Sequence, residues 1–472
     1  MSEIESSEIE SNKVEPNTIK TVITAGGKGT RIASIASDIP KPMIPIAGKP
    51  ILEHQINCLK ENKLCDIIII VGHLGEKITE YFGDGSAFGV HIEYYTETEP
   101  LGSAGALFEL LDNRDTSENP LSSDMLSSDL LLSENFLFIN GDIIFDIDFE
   151  RFINFHFEKN ALATLAVHPN THPFDSSLLV SNTEGVVTGW LNKEDAQEEN
   201  IFYKNQVNAG VHILNKTLLH KAKQIAHNTD ISQQKKKYDL DRDILKPLVS
   251  GGAIYAYSTP EYIKDMGTPE RYRQVEADIT SGIVKKRNLR NRQRAIFLDR
   301  DGTINVEKGI ISDPKDLELL PNAARAIRIW NDAGFLVIVI TNQPVIARGD
   351  ATLGDLEQIH NKLETLLGND GALLSDIFFC PHHPDKGFAG ERIEYKINCD
   401  CRKPKPGMIL QAAKKYNIDL SHSVMLGDKS WDVEAGLAAG CKAFQVAEKG
   451  DYKDIYEFAC HLQQNETLGE IK

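Results

Sequence analysis

Short apolar runs that break into acids, glycines and hydroxyls recur along this chain, and they mark its candidate sites. Residues 295–298 form one such run and lead into Asp299-Arg300-Asp301-Gly302-Thr303. The pleat of a strand sends Asp299 and Asp301 the same way at its end. Residues 335–340, rich in β-branched side chains, predict a buried strand that delivers Thr341, Asn342 and Gln343 at its carboxyl end. Residues 424–426 predict another, ending in Gly427-Asp428-Lys429. Upstream, residues 20–24 run into Ala25-Gly26-Gly27-Lys28-Gly29-Thr30-Arg31, and residues 136–140 end at Gly141-Asp142. Ligands in open α/β sheets sit at the carboxyl ends of strands.

Helix-like and strand-like stretches alternate from Lys20 to about residue 280, and a second series starts at Arg294. No internal repeat is visible, so the pattern predicts two different α/β domains. The expected divisions are an acidic tail at 1–17, a first domain at 18–282, a basic linker at 283–293 and a second domain at 294–472. Residues 112–135, rich in Ser, Asp and Asn, read as an inserted surface loop. The basic stretch at 285–294 reads as a solvated linker or helix end in preference to a nucleic-acid patch.

Composition narrows the function. A net charge of −18 over 472 residues argues against general nucleic-acid binding. Anionic substrates must then be held by local Lys, Arg, metal and backbone N–H groups. The apolar runs are far too short to span a membrane, and the N-terminus is polar and acidic, so the expectation is a cytoplasmic protein. A homo-oligomer stays open.

An Asp-x-Asp pair can bind Mg²⁺ while one acid attacks a phosphoryl group and the other moves the proton. The plainer alternative, a strand running into an acidic turn, loses ground to the motifs downstream. Thr341 offers a hydroxyl, Arg402 and Lys403 offer cations, and Asp428 completes a metal site with Asp299 and the main-chain carbonyl of Asp301. A separate group, Cys380, His382, Cys399 and Cys401, falls into two pairs with sixteen residues between them. Four such ligands suit a closed, structural, tetrahedral Zn²⁺ that would fold the loop at 384–398 and aim Arg402 and Lys403.

Taken in order, these motifs resemble the haloacid dehalogenase superfamily of phosphatases. With the cysteine cluster, residues 294–465 resemble the D-glycero-D-manno-heptose 1,7-bisphosphate phosphatases. The resemblance implies Asp299 as nucleophile, Asp301 as general acid and base, and Thr341 and Lys403 as stabilisers of the phosphoryl group. It further implies that Arg402 recognises substrate and that Asp428 binds Mg²⁺. Glu307, Lys308, Gly309 and Ile310, together with Asn342, Gln343 and Pro344, match substrate-contacting loops, and Lys429 matches a further contact. Pro344-Val345 depart from the Ser-Gly common in that family; proline removes a backbone donor and fixes φ.

In the first domain, Gly26, Gly27 and Gly29 let main-chain N–H groups approach triphosphate oxygens, and Arg31 can hold a leaving pyrophosphate. The spacing fits neither a Rossmann nor a Walker loop. Lys41 stands between two prolines, and Asp142 and Asp265 are candidate metal ligands. This set resembles the sugar-1-phosphate nucleotidyltransferases, a group that includes mannose-1-phosphate guanylyltransferases, over residues 20–280. The resemblance implies Mg²⁺ on Asp142 and Asp265, with phosphates on Arg31 and Lys41. It also implies Gly102 against the base or sugar, and Asn208 and Lys193 on the sugar. Asn192 departs from the Glu that often precedes that lysine.

The expected architecture is thus an N-terminal Rossmann-like nucleotidyltransferase fold and a C-terminal haloacid dehalogenase-like fold with a structural zinc loop. The two resemblances imply consecutive steps on one sugar. Removing the 7-phosphate of the heptose bisphosphate gives heptose 1-phosphate, which the first domain then activates with an NTP. The resemblance favours GTP and the α-anomer. A different sugar nucleotide, a phosphatase for another small ester such as histidinol phosphate, and a degenerate regulatory binding pair remain alternatives.

Overall fold

The computed structural model describes residues 19–26, 39–112, 132–198, 201–229, 237–387 and 389–464. The expected acidic tail and most of the expected loop at 112–135 lie outside them. The first half contains β1 (Lys20–Thr24), β2 (Pro45–Ile46), β3 (Lys49–Pro50), β4 (Asp66–Val71), β5 (His91–Thr96), β6 (Asn135–Asn140) and β7 (Ile143–Asp146). It continues with β8 (Ala163–His168), β9 (Leu178–Ser181), β10 (Val187–Leu191), β11 (Val207–Asn215), β12 (Ile254–Ser258) and β13 (Tyr262–Asp265). The second half contains β14 (Ala295–Leu298), β15 (Leu336–Asn342), β16 (Asp376–Cys380), β17 (Val424–Gly427) and β18 (Lys442–Gln445). Both halves are α/β, as expected.

The main sheet of the first half runs β10-β9-β11-β6-β1-β4-β5, with β8 on β11 and β12 on β8. Its centre, β6-β1-β4-β5, is parallel. Strands such as Asp-Ile-Ile-Ile-Ile-Val in β4 are apolar at nearly every position because helices cover both faces. One face packs on helices Ile51–Glu61 and Phe149–Glu158. The other packs on helix Gly102–Asp112, Leu218, Leu219 and Ala222. Gly102 opens its helix at φ +79°, and a Cβ there would lie 2.4 Å from the Tyr238 carbonyl oxygen, so only glycine passes. A separate antiparallel pair, β7 with β13, sets Asp265 opposite Ile143 and hence beside Asp142.

The second half is a five-stranded parallel sheet, β16-β15-β14-β17-β18. Its first crossovers run one way from β14 and its later ones the other. The switch point therefore lies at the carboxyl ends of β14 and β17, where Asp299 and Asp428 stand. Helices Ala323–Asp332, Leu353–Asn369 and Ile455–Gln464 cover one face, and helix Gly407–Tyr416 the other.

The connector begins as a helix at Ile283–Lys286 and is not solvated throughout, because Val284, Asn288, Leu289 and Gln293 are buried. Val284 joins the apolar cluster of Ile44, Ile144 and Tyr262 in the first half, whereas Leu289 joins the cluster of Phe297 and Ile418 in the second. Asn288 donates to Asp146 Oδ1 at 2.5 Å, and Leu289 N donates to the buried Glu261 Oε1 at 2.8 Å. Arg287 reaches across to the Asn331 carbonyl at 2.8 Å. Among the basic residues, Lys285 meets Glu61 and Asp146, Arg290 meets Asp148 and Arg292 meets Asp419, pairings that no local pattern reveals. No helix among the described residues is long and apolar enough to cross a membrane.

Two candidate active sites and a candidate metal centre

At the switch point of the second sheet, Asp299, Asp428 and Asp432 each bring a carboxylate oxygen within 4.8 Å of the others. Between two of them lies the buried Lys403, its Nζ 2.8 Å from Asp299 Oδ1 and 2.6 Å from Asp432 Oδ1. The same ammonium donates to the Ile340 carbonyl at 2.7 Å. Burial works against the Lys403 charge, but Asp299 and Asp432 outweigh it and hold the ammonium above its usual range. Burial, then repulsion from Asp299, pushes the Asp432 carboxyl up to about 7. Asp428 is also raised by burial, despite Lys429 Nζ at 2.6 Å from Oδ2. Its buried Oδ1 has no hydrogen-bond partner among the described residues. Three converging carboxylates, one with an unmatched oxygen, suit a hard divalent cation such as Mg²⁺. Gly302 lets this happen: at φ +77° its missing Cβ would lie 2.5 Å from Asp428 Oδ2.

Asp301, expected to lend a main-chain carbonyl, has its carboxylate outside this trio. Arg300 Nη2 donates to both its oxygens at 2.8 and 2.9 Å, Asn305 donates at 3.0 Å and Gln343 at 2.8 Å. Glu307, Gly309, Thr341, Asn342, Pro344, Arg402 and Lys429 line the same cavity of ≈ 250 Å³. Gln343 does not line it; it is buried, donating to Thr341 Oγ1 at 2.9 Å as well as to Asp301. Lys308 turns to Glu318 at 3.3 Å, and Ile310 is exposed. Asp432 stands in the sequence just beyond Gly427-Asp428-Lys429, but its place as a third carboxylate, and Trp431, which also lines the cavity, escaped the sequence reading. The signal for Asp432 was a second acid one turn beyond Gly427-Asp428, in the first turn of helix Ser430–Ala439.

The cysteine cluster assembles as expected. The Sγ atoms of Cys380, Cys399 and Cys401 lie 3.2–3.5 Å apart, and His382 Nδ1 lies 3.3 Å from Cys401 and 3.6 Å from Cys380. A tetrahedron with Zn–S of ~2.3 Å and Zn–N of ~2.0 Å has S–S edges of about 3.8 Å and S–N edges of about 3.5 Å. The four atoms, three soft sulfurs and an imidazole nitrogen, thus stand a few tenths of an ångström inside a Zn²⁺ site and suit it in donor type. The His382 carbonyl accepts Arg402 Nη1 at 3.1 Å, which ties the cluster to the cavity beside Asp299.

In the first half, Gly26, Lys41, Gly102 and Asp142 line one cavity of ≈ 470 Å³. Lys41 and Asp142 form an ion pair. Asp142 also opens onto a second cleft of ≈ 620 Å³, which it shares with Asp265 and Asn208. Arg271 clamps both Asp265 oxygens at 2.7 Å and, against the effect of burial, holds that carboxyl below its usual range. Two carboxylates, one in the turn before β7 and one at the end of its partner β13, fit a divalent cation in donor type, and each carries a cation of its own to displace. Asn208 donates to Asp241 Oδ2 at 2.9 Å, whereas Lys193 pairs with Asp175 beside the cleft. Gly27, Gly29 and Arg31 lie outside the described residues. Arg271 and Asp241 are further polar groups of these cavities that the sequence reading missed.

Fold and geometry define a two-site α/β enzyme that joins a nucleotidyltransferase to a phosphatase of the haloacid dehalogenase kind. Residues 20–282 match the nucleotidyl transferase family, and residues 400–456 match the HAD-hydrolase-like family. Over 145 residues the chain is 42% identical to the D-glycero-β-D-manno-heptose-1,7-bisphosphate 7-phosphatase of Yersinia pestis, covering 31% of this chain and 75% of the relative. The chain therefore belongs to the nucleotidyl transferase family and, through its second half, to the family of these 7-phosphatases. Among solved structures, HddC from Yersinia pseudotuberculosis complexed with GMP-PN is similar at 22% identity, 55% of this chain, 99% of that chain and a TM-score of 0.42. The D,D-heptose 1,7-bisphosphate phosphatase of B. bronchiseptica, complexed with magnesium and phosphate, is similar at 31% identity, 37% of this chain, 99% of that chain and a TM-score of 0.32.

Proposed function

We propose that the two sites catalyse consecutive steps on one sugar. The second half removes the 7-phosphate of D-glycero-D-manno-heptose 1,7-bisphosphate, and the first half then couples heptose 1-phosphate to a nucleotide, GMP from GTP. The observation that carries this reading is the buried Lys403 between Asp299 and Asp432, beside the cavity that Arg402 and Lys429 line. Such a cation-and-carboxylate array suits an anionic phosphoryl group and little else.

In the phosphatase step, an Asp299 oxygen attacks phosphorus and the bond to the C7 oxygen breaks. Asp301 gives the departing oxygen its proton. Water then attacks the aspartyl-phosphate, Asp301 takes the proton back, and phosphate and Asp299 are released. Lys403 and Thr341 hold the phosphoryl oxygens, Arg402, Lys429 and Glu307 hold the sugar phosphate, and Mg²⁺ on Asp299, Asp428 and Asp432 would offset the charge. Zn²⁺ on Cys380, His382, Cys399 and Cys401 would be structural.

In the transfer step, an oxygen of the sugar 1-phosphate attacks the α-phosphorus in line, and the bond to the bridging oxygen of pyrophosphate breaks. Lys41 and Arg31 neutralise phosphates, and Asp142 and Asp265 are the groups that would hold Mg²⁺. Supplying the bisphosphate with each of the four NTPs tests the scheme, and heptose 1-phosphate of either anomer tests the second step alone. The expected result is one phosphate and one pyrophosphate per nucleotide sugar, fastest with GTP. Pyrophosphate release without prior phosphate release would overturn the order of steps.

A further inference from the structure

The cleft that holds Asp142 and Asp265 does not end within the first half. Its far wall is built from Asn331, Asp332, Phe335 and Ser375 of the second half. The acids of the transfer step and the surface of the phosphatase half thus face one space.

The loop between β8 and β9 stands between the two halves. On its cleft side it presents His172 and Asp175. On its other side Pro173 lies against Gly368 of helix Leu353–Asn369, so closely that a Cβ on Gly368 would sit 2.8 Å from Pro173 Cγ. One turn back in that helix, Glu364 Oε2 accepts Asn205 N–H at 2.7 Å and Thr365 Oγ1 accepts Tyr203 N–H at 3.0 Å. The Asn205 side chain, in turn, accepts Asn170 N–H at 3.1 Å and donates to the Asn170 carbonyl at 2.8 Å. A phosphatase helix therefore fixes a transferase loop. That loop carries Asp175, which pairs with Lys193 and lies 3.9 Å from Arg271, the residue that clamps Asp265.

We propose that the phosphatase half completes the acceptor pocket of the transferase half. The sugar 1-phosphate lies with its phosphate toward Asp142, Asp265 and Arg271 and its hydroxylated carbon chain against Asp332 and Ser375. This rests on the reading of the first half as a sugar-1-phosphate transferase. A carboxylate and a hydroxyl suit sugar hydroxyls, and the asparagine beside them is occupied, donating to and accepting from the backbone of Leu373 at 3.1 and 3.0 Å. The nucleotide side, with Gly26, Lys41 and Gly102, belongs to the other cavity. The phosphatase cavity is separate too. Thr341 stands near the carboxyl end of β15 and Leu336 at its start, five residue steps or ~17 Å away along the strand.

The test uses the full-length chain with GTP and D-glycero-D-manno-heptose 1-phosphate, reading pyrophosphate. Ser375→Trp fills the cleft, and Asp332→Asn removes one charge without changing size. Each should raise KM for the sugar 1-phosphate, the tryptophan by roughly tenfold or more, on the scale of one or two lost contacts. KM for GTP and phosphate release from the bisphosphate should stay at wild-type values, which also shows that the variants fold. An unchanged sugar KM in the Ser375→Trp protein overturns the shared pocket. A wild-type protein that transfers nucleotide to no sugar 1-phosphate would instead strike down the transferase reading on which it rests.

Discussion

Lys403 and Asn342 hold each other twice: Asn342 Oδ1 accepts Lys403 N–H at 3.0 Å, and Asn342 Nδ2 donates to the Lys403 carbonyl at 3.1 Å. This clasp joins the segment that follows the cysteine cluster to the carboxyl end of β15. The Lys403 ammonium therefore reaches Asp299 and Asp432 from a backbone pinned on both sides. Preorganisation of this kind lets a cation stabilise developing phosphoryl charge without reorganising during the reaction. Removing the ammonium leaves two buried acids facing each other. Lys403→Met should cut phosphatase kcat by about 10³-fold, the scale of a lost preorganised charge. It should leave pyrophosphate release from supplied heptose 1-phosphate unchanged. A variant with near-normal phosphatase kcat would remove Lys403 from the chemistry.

Independence of the two chemistries is checked by paired substitutions. Asp299→Asn should abolish phosphate release and preserve nucleotidyl transfer, and Asp142→Asn should do the reverse. Steady-state assays of both products on both proteins decide this. Loss of both activities in either folded variant contradicts two separate catalytic centres.

The metal centre makes its own prediction. Cys399→Ser removes one corner of a ligand tetrahedron whose His382 carbonyl also holds Arg402. The expected outcome is about one zinc per chain in the wild type and loss of it in the variant. KM for the bisphosphate should rise more than kcat falls, because Arg402 contacts substrate in this reading. Metal analysis that finds no zinc in active wild-type protein ends the assignment.

Much of this was legible in the sequence, for a physical reason. A buried parallel strand is an apolar run, and the acid that ends it stands out against that run, as Asp299, Asp428 and Asp142 do. The role of Asp432 hides because an acid in the first turn of a helix reads as a cap. Arg300 hides differently. The pleat of a strand predicts it on the face opposite Asp301, yet its guanidinium folds back to donate to that carboxylate. The connector hides most completely, since the burial of Asn288 and Leu289 depends on Asp146 and Glu261, more than twenty residues away in the chain.

Glu364 sets a pH dependence at the contact between the halves. Burial raises its carboxyl to about 7, against the opposing pull of Lys204 and the Asn205 N–H. An unfolded glutamate titrates near ~4.3, so between that value and about 7 the folded chain keeps a proton that the unfolded chain has lost. Stability from this group is full below pH ~4.3 and is lost as pH rises through about 7, at up to ~1.4 kcal/mol per pH unit. Glu364→Gln keeps an oxygen for the Asn205 N–H but carries no charge. Thermal melts at pH 5 and pH 8 should show the variant gaining on wild type at the higher pH, and parallel profiles would contradict a buried, proton-holding Glu364.

The connector gives the final prediction, which concerns where the chain can be divided. Val284 packs with the first half and Leu289 with the second, while Asn288 and the Leu289 backbone satisfy Asp146 and Glu261. Without residues 283–293 Asp146 loses Asn288 and Lys285, whereas Glu261 still accepts the Asp148 N–H and the Thr259 hydroxyl. A fragment ending at residue 282 loses the Val284 side chain, worth ~1.5–3 kcal/mol of burial. It also leaves the Asp146 carboxylate without these two partners, at a further cost of about 1–3 kcal/mol. A fragment ending at residue 293 keeps all of these, and the contacts of Leu289, Arg287 and the β8–β9 loop with the second half are missing from both fragments. The longer fragment should therefore melt several degrees above the shorter one by calorimetry, and express in more soluble form. Equal melting of the two fragments would show that residues 283–293 are the inert spacer their charge suggests.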